Sequence, residues 1–159
     1  MLAILFWSNT SVFAQTDDAI APASPAALEF AQTMQAGRQL RAFMRGIATH
    51  TVTIQGTVAK YGADKVTPVL ERNIEEEAIK HDAEWANNLA LSYEEYLTDD
   101  ELRSLAKNTA QSPFVPKLKE VMPQAGASMK RRSEALVTAA ATQVVMVTFR
   151  QFTTGDPPK

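Results

Sequence analysis

Leu70, Ile74, Ala78, His81, Trp85, Leu89, Tyr93 and Tyr96 recur at steps of three and four. That period belongs to one face of an α-helix. Held over about 26 residues, it describes a rod roughly 40 Å long. A rod with one apolar stripe is stable only when other elements cover the stripe. The rest of the chain offers helices for this and no convincing strand. Thr67-Pro68 predicts the start of the rod, as an N-cap followed by proline at the first helical position. Glu71, Glu75 and Glu76 crowd that end, where the helix dipole favours anions.

Upstream, Ser24-Pro25 repeats the cap-then-proline signal. Leu28, Ala31 and Met34 form a short stripe that Gly37 is expected to interrupt. Leu40, Phe43, Met44, Ile47, Thr51, Ile54 and Val58 then predict one buried face on a second helix, with Arg38, Arg41 and Arg45 on its polar side. The β-branched run at 49–53 leaves a strand as a minor alternative there. Gly62 ends this helix as a C-cap glycine.

Downstream, Thr98-Asp99-Asp100-Glu101 is a capping box, and Leu102, Leu105 and Ala106 supply the apolar face that follows. Ser112-Pro113 starts a further turn, with Pro116 and Pro123 expected to keep that helix short or kinked. The last helix is read from Pro123 to about Phe152, burying Met129, Leu136, Val137, Ala140, Val144 and Val147. The fold class is therefore all-α, a single-domain bundle of five to six helices whose short connections favour antiparallel neighbours. Its parts are a linker at 15–24, a helical domain at 25–152 and a frayed tail at 153–159. A length of 159 residues suits one domain.

Residues 1–14 carry no charge, and an apolar run ends in Val12-Phe13-Ala14 before Gln15. Small residues at −3 and −1 predict a secretory signal peptide cleaved at that point. No Lys or Arg precedes the run, as in a leader truncated at its start. The alternative is a frayed apolar N-terminus on a cytosolic chain. After cleavage no stretch of about 20 apolar residues remains to span a membrane. Residues 136–149 come nearest, but three Thr and a Gln make them read as a buried core helix.

Zero cysteine excludes disulfides, thiolate metal sites and a cysteine nucleophile. A net charge of −2 and a pI near 5.7 give no overall drive towards nucleic acid. Charge is nevertheless uneven. Residues 71–101 hold eleven acids and two bases, whereas 102–150 hold eight bases and two acids. The simplest account is an acidic helix that pairs with basic neighbours at the rims of the bundle. The sharper one is a bipolar surface that steers a charged partner.

Four groups of residues are candidate sites or caps. Trp85, Tyr93 and Tyr96 line one helix face as a wall for a ligand or partner, against the commoner role of core aromatics. Lys130, Arg131 and Arg132 form the one basic cluster, able to meet an anion or simply solvated. Glu77 and His81 stand four apart on one face, but a metal would need His50 from another helix, and no Glu-x-x-His occurs. Thr98, Glu101, Ser112 and Pro113 read as structural caps. There is no G-x-S-x-G, H-E-x-x-H or glycine-rich phosphate loop, so no catalytic residue, cofactor or metal is expected.

Tyr96-Leu97-Thr98-Asp99-Asp100-Glu101-Leu102, then Leu105, Ser112-Pro113, Lys117-Leu118 and Met122-Pro123, resembles the domain-of-unknown-function 2059 family. The resemblance covers about 60 residues and is specific for architecture. It implies a small, exported, all-helical protein of the Gram-negative periplasm, and it lends no catalytic residue. The expected role is a non-enzymatic one, through contact with an unknown protein partner in the cell envelope. A homodimer is compatible with a bundle. The alternative is a carrier of small apolar ligands, with its cavity between the Trp85–Tyr96 face and the last helix. An envelope hydrolase built on a carboxylate pair ranks last.

Overall fold

The computed structural model describes residues 22–154. The signal-peptide reading (1–14), most of the linker and the end of the tail (155–159) lie outside the described residues. Within them the chain forms α1 (Pro25–Thr33), α2 (Ala36–Thr49), α3 (Val52–Tyr61), α4 (Ala63–Glu94), α5 (Asp99–Asn108), a 3-10 turn (Thr109–Gln111) and α6 (Val115–Thr153). Six helices and no strand among the described residues make this an all-α bundle. The long helices α4 and α6 pack on each other as its axis. α2 and then α3 lie against both, while α1 and α5 close the other end of α4.

Ser24 caps α1 by accepting from the Ala27 N–H at 3.2 Å, as the cap-then-proline signal requires. The residues just before it are docked rather than linker-like. Ala23 is buried, and its N–H donates to Asn87 Oδ1 at 2.8 Å. The Ser24 hydroxyl donates to Asp99 at 2.9 Å, which ties the chain's entry to α5.

The break after α1 falls at Gln35, not at Gly37. Gln35 adopts the left-handed conformation at φ 55°, and its neighbour's freed carbonyl, Met34 O, accepts from Gln39 Nε2 at 2.8 Å. Gly37 instead lies inside α2, where a Cβ would come within 3.2 Å of the Asp82 carboxylate on α4. Its role is close approach.

The single helix expected over 40–58 is two. Thr51 turns extended and its hydroxyl accepts from the Ile54 N–H at 3.3 Å, starting α3. β-branched residues around the junction lower the cost of leaving the helix there. The buried stripe is also narrower than its spacing predicts. Leu40, Met44, Ala48 and Ile54 are buried, but Phe43 and Ile47 are 55 % and 43 % exposed.

Thr67-Pro68 does not start α4. Gly62, at φ 92°, turns the chain directly from α3 into α4, so Pro68 sits inside the helix. Pro68 forfeits one bond, to the Asp64 carbonyl, at an exposed end where water can replace it.

The Thr98–Glu101 capping box is present in both directions, at 3.4 and 2.9 Å. Ser112-Pro113 marks a turn before α6 rather than its first residue; the Ser112 hydroxyl accepts from the Phe114 N–H at 3.3 Å. α6 then runs unbroken for 39 residues. Pro116 stands in its first turn, where its missing N–H costs nothing. Pro123 lies within it on the exposed side, where water can serve the Lys119 carbonyl. Thr148, hydrogen-bonded to Asn73, takes the buried place assigned to Val147, which is half-buried. Replacing Pro123 by alanine restores one backbone bond at an exposed position, and should stabilise the fold by about 1–3 kcal/mol. An unchanged melting temperature for this variant would mean that α6 is not helical through residue 123.

Candidate functional site

Charge pairing accounts for most of the acidic stretch. Arg41 donates to Glu75 at 2.6 and 2.8 Å and to Asp82 at 2.8 and 3.0 Å. Arg45 holds Glu71 in a two-point contact at 2.5 and 2.6 Å. One turn of α2 is thereby fixed to three carboxylates of α4. The hydrogen bonds that Arg41 donates to Glu75 and Asp82 hold its guanidinium pKa above the ordinary value. The arginines in turn hold the Glu71 and Glu75 carboxyls below theirs. At the other end, Lys117 reaches Glu101 at 2.7 Å, and Arg132 reaches Glu95 at 2.8 Å. Both carboxyls are lowered, Glu101 chiefly by Lys117 and Glu95 by Ser128 and Arg132.

A pH dependence follows from these directions. Carboxyls depressed in the folded state contribute stability that is complete above the ordinary carboxylate value, about 4.3, and is lost as pH falls through the depressed values. Melting temperature should therefore hold from pH 7 to about 5 and fall below pH 4. The Arg45→Met variant should lose part of that acid slope, and an identical slope would show that the Glu71 pair contributes nothing.

The expected Glu77–His81 contact is present at 3.2 Å, with Lys80 on the other carboxylate oxygen at 2.6 Å. Burial pushes the Glu77 carboxyl up, but the Lys80 and His81 hydrogen bonds outweigh it and leave it below its ordinary value. His50 is occupied elsewhere, its Nδ1 lying 2.7 Å from the Gly46 carbonyl at the end of α2. Among the described residues, no three His, Asp or Glu side chains gather as a metal site.

The aromatic wall is divided. Tyr93 is core: it packs edge-on against Phe30 with ring centroids 5.1 Å apart, and burial pushes its hydroxyl pKa up. Tyr96 is half-buried beyond the end of α4, against the core. Trp85 alone reaches a groove. It is 3 % exposed, and its indole N–H has no partner. Phe43 packs on it at 5.6 Å between ring centroids. This open groove of about 430 Å³ lies between α2, α4 and α6, and Phe43, Ile47, Met129 and Val137 line it with Trp85. Lys130 and Glu134 stand at its rim.

The basic cluster does not act as a unit. Lys130 borders the groove, Arg131 points to solvent, and Arg132 is committed to Glu95. Farther along α6 a second open groove, about 510 Å³, lies against α3 and is lined by Val52, Tyr61, Val145, Met146 and Phe149. Sequence reading missed Phe43, Ile47, Val52, Met146 and Phe149 as surface residues. Their helical spacing equals that of core residues, so periodicity carries no signal of their exposure.

Among the described residues α6 is the one helix long and apolar enough to cross a membrane by length and composition. Its most apolar window has a mean hydropathy of 1.2 and is 28 % buried. Ala140, Val144 and Thr148 nonetheless face the bundle. The α4–α6 contact is partly polar. Asn73 donates to Thr148 at 2.9 Å and Asn88 to Ser133 at 3.3 Å, and both side-chain oxygens lack a partner. Comparison with known proteins finds no matching family model, no matching curated protein and no matching solved structure.

Proposed function

We propose that this chain is an exported helical protein of the Gram-negative periplasm that acts without catalysis, by contact with another envelope protein through the α2–α4–α6 groove. The observation that carries the contact surface is the pair Phe43 and Ile47, 55 % and 43 % exposed on the wall of an apolar groove. Large apolar side chains clustered at a rimmed concavity mark interaction sites. Export and the family placement rest on the leader-like start and on the residue pattern at 96–123.

The test is cross-linking and affinity capture from intact cells carrying the tagged full-length chain, with the mature N-terminus sequenced. A start at Gln15 is expected, with one dominant envelope partner that Phe43→Asp loses by tenfold or so, the cost of about 1.4 kcal/mol. An uncleaved chain overturns the export reading. A partner captured equally by Phe43→Asp overturns the groove.

A second reading, a carrier of small apolar ligands, is favoured by the size of the same groove, which lies within the ~300–1,000 Å³ of ligand pockets. Trp85 is the one tryptophan of the chain from Gln15 onward, so in a sample that starts there its fluorescence reports occupancy directly. A blue shift on adding an apolar ligand to the isolated protein would support the carrier over the protein contact.

A further inference from the structure

We propose that the second groove, between α3 and α6, binds a single-chain anionic amphipath, an alkyl chain ending in a carboxylate. The site is distinct from the one proposed above and depends on neither export nor a protein partner. Its walls are apolar and left uncovered: Val52 is 84 % exposed, Phe149 43 % and Met146 41 %. Its volume of about 510 Å³ suits a ligand rather than a solvent crevice.

The ends of the groove differ. Tyr61 at the end of α3 packs on Phe152 near the end of α6, with ring centroids 5.2 Å apart and planes at 38°. The ends of α3 and α6 therefore meet at this end of the groove. Lys60 stands at this end, its Nζ over the Tyr61 ring in a cation–π contact 4.9 Å from the centroid. It is the one charged side chain lining the groove, and no carboxylate among the described residues pairs with it. The Tyr61 hydroxyl likewise has no hydrogen bond among the described residues.

An apolar trough whose one cation meets no carboxylate among the described residues, with a hydroxyl donor beside it, complements a chain with an anionic head. The head lies at Lys60 and Tyr61, and the alkyl chain runs towards Val52 and Met146. A second copy of this chain fits less well. A two-fold contact across the groove would bring a lysine onto a surface that offers no acid to meet it.

Calorimetric titration of the full chain with decanoate, below its micelle concentration, tests the assignment. Saturable one-site binding is expected, and 1-decanol of the same chain length should bind about fivefold more weakly, as loss of one exposed charge contact implies. Lys60→Gln should weaken decanoate by about the same factor and leave 1-decanol unchanged. Val52→Asp, at a position too exposed to unfold the bundle, should weaken both. Phe43→Asp, in the other groove, should change neither.

Absence of saturable binding overturns the proposal, as does equal binding of decanoate by Lys60→Gln. Loss of binding in Phe43→Asp would move the ligand to the other groove and equally overturn it. Binding only to vesicles of anionic phospholipid, with no uptake of soluble decanoate, would make the face a membrane contact and overturn the ligand site.

Discussion

Truncating Leu40 to alanine should destabilise the protein by about 3 kcal/mol and lower its melting temperature by roughly 10 °C. Leu40 is fully buried in α2, at the level where that helix packs against α4 and α6. Removing its side chain leaves a cavity that the surroundings fill poorly. Arg41, the next residue, is anchored at four points to Glu75 and Asp82, so α2 is not free to slide inward. The matching truncation Phe43→Ala, one turn away on the groove wall, should cost less than half as much because Phe43 is mostly in water. Equal losses in the two variants would mean that α2 is rotated relative to the arrangement described. Thermal unfolding followed by circular dichroism measures both.

Valine at Gly62 should cost about 3 kcal/mol. Gly62 holds φ 92° and ψ 142°, a region that a β-branched residue reaches only with strain of roughly 1–3 kcal/mol, and its Cβ would also meet the Asp64 carboxylate. The Asp64 side chain can swing away, but the backbone angle cannot change without separating α3 from α4, because one residue makes the whole connection. The contrasting variant is Gly46→Ala. Gly46 lies inside α2 with nothing within 4 Å of an added Cβ, so alanine there should stabilise by about 0.5–1 kcal/mol. A tolerated Gly62→Val would show that α3 and α4 are joined by a turn of ordinary conformation. Because Gly62 also sets the angle of α3 against α6, the variant should weaken any binding in the α3–α6 groove more than binding at Trp85.

Local chemistry made much of the fold legible. Ser24 and Thr98 cap helices as their neighbours in sequence suggest, because a capping hydroxyl and the amides that it serves lie within four residues. The buried positions Leu70, Ile74, Ala78, Trp85, Leu89 and Tyr93 follow from the stripe on α4, since period alone selects one side of a rod. Proline misled at two points. Thr67-Pro68 and Pro123 carry the marks of a helix start and a helix break, yet both prolines lie inside helices. One lost backbone bond on an exposed side costs less than giving up the packing of α4 on α6.

Periodicity, capping and charge order dictate an all-helical chain with an acidic helix set between basic ones, while the division of 40–58 into α2 and α3 belongs to the structure. The arrangement in space dictates which apolar residues are core and which are surface. Phe43 and Met44 are adjacent in sequence and equally apolar, yet one is 55 % exposed and the other fully buried. A helix advances about 100° per residue, and only the positions of α4 and α6 determine which of those directions faces protein. Both grooves arise in the same way, from where α2 and α3 end against α6. Their linings join helix segments about 40 to 100 positions apart in the chain, a separation across which neither propensity nor spacing carries information.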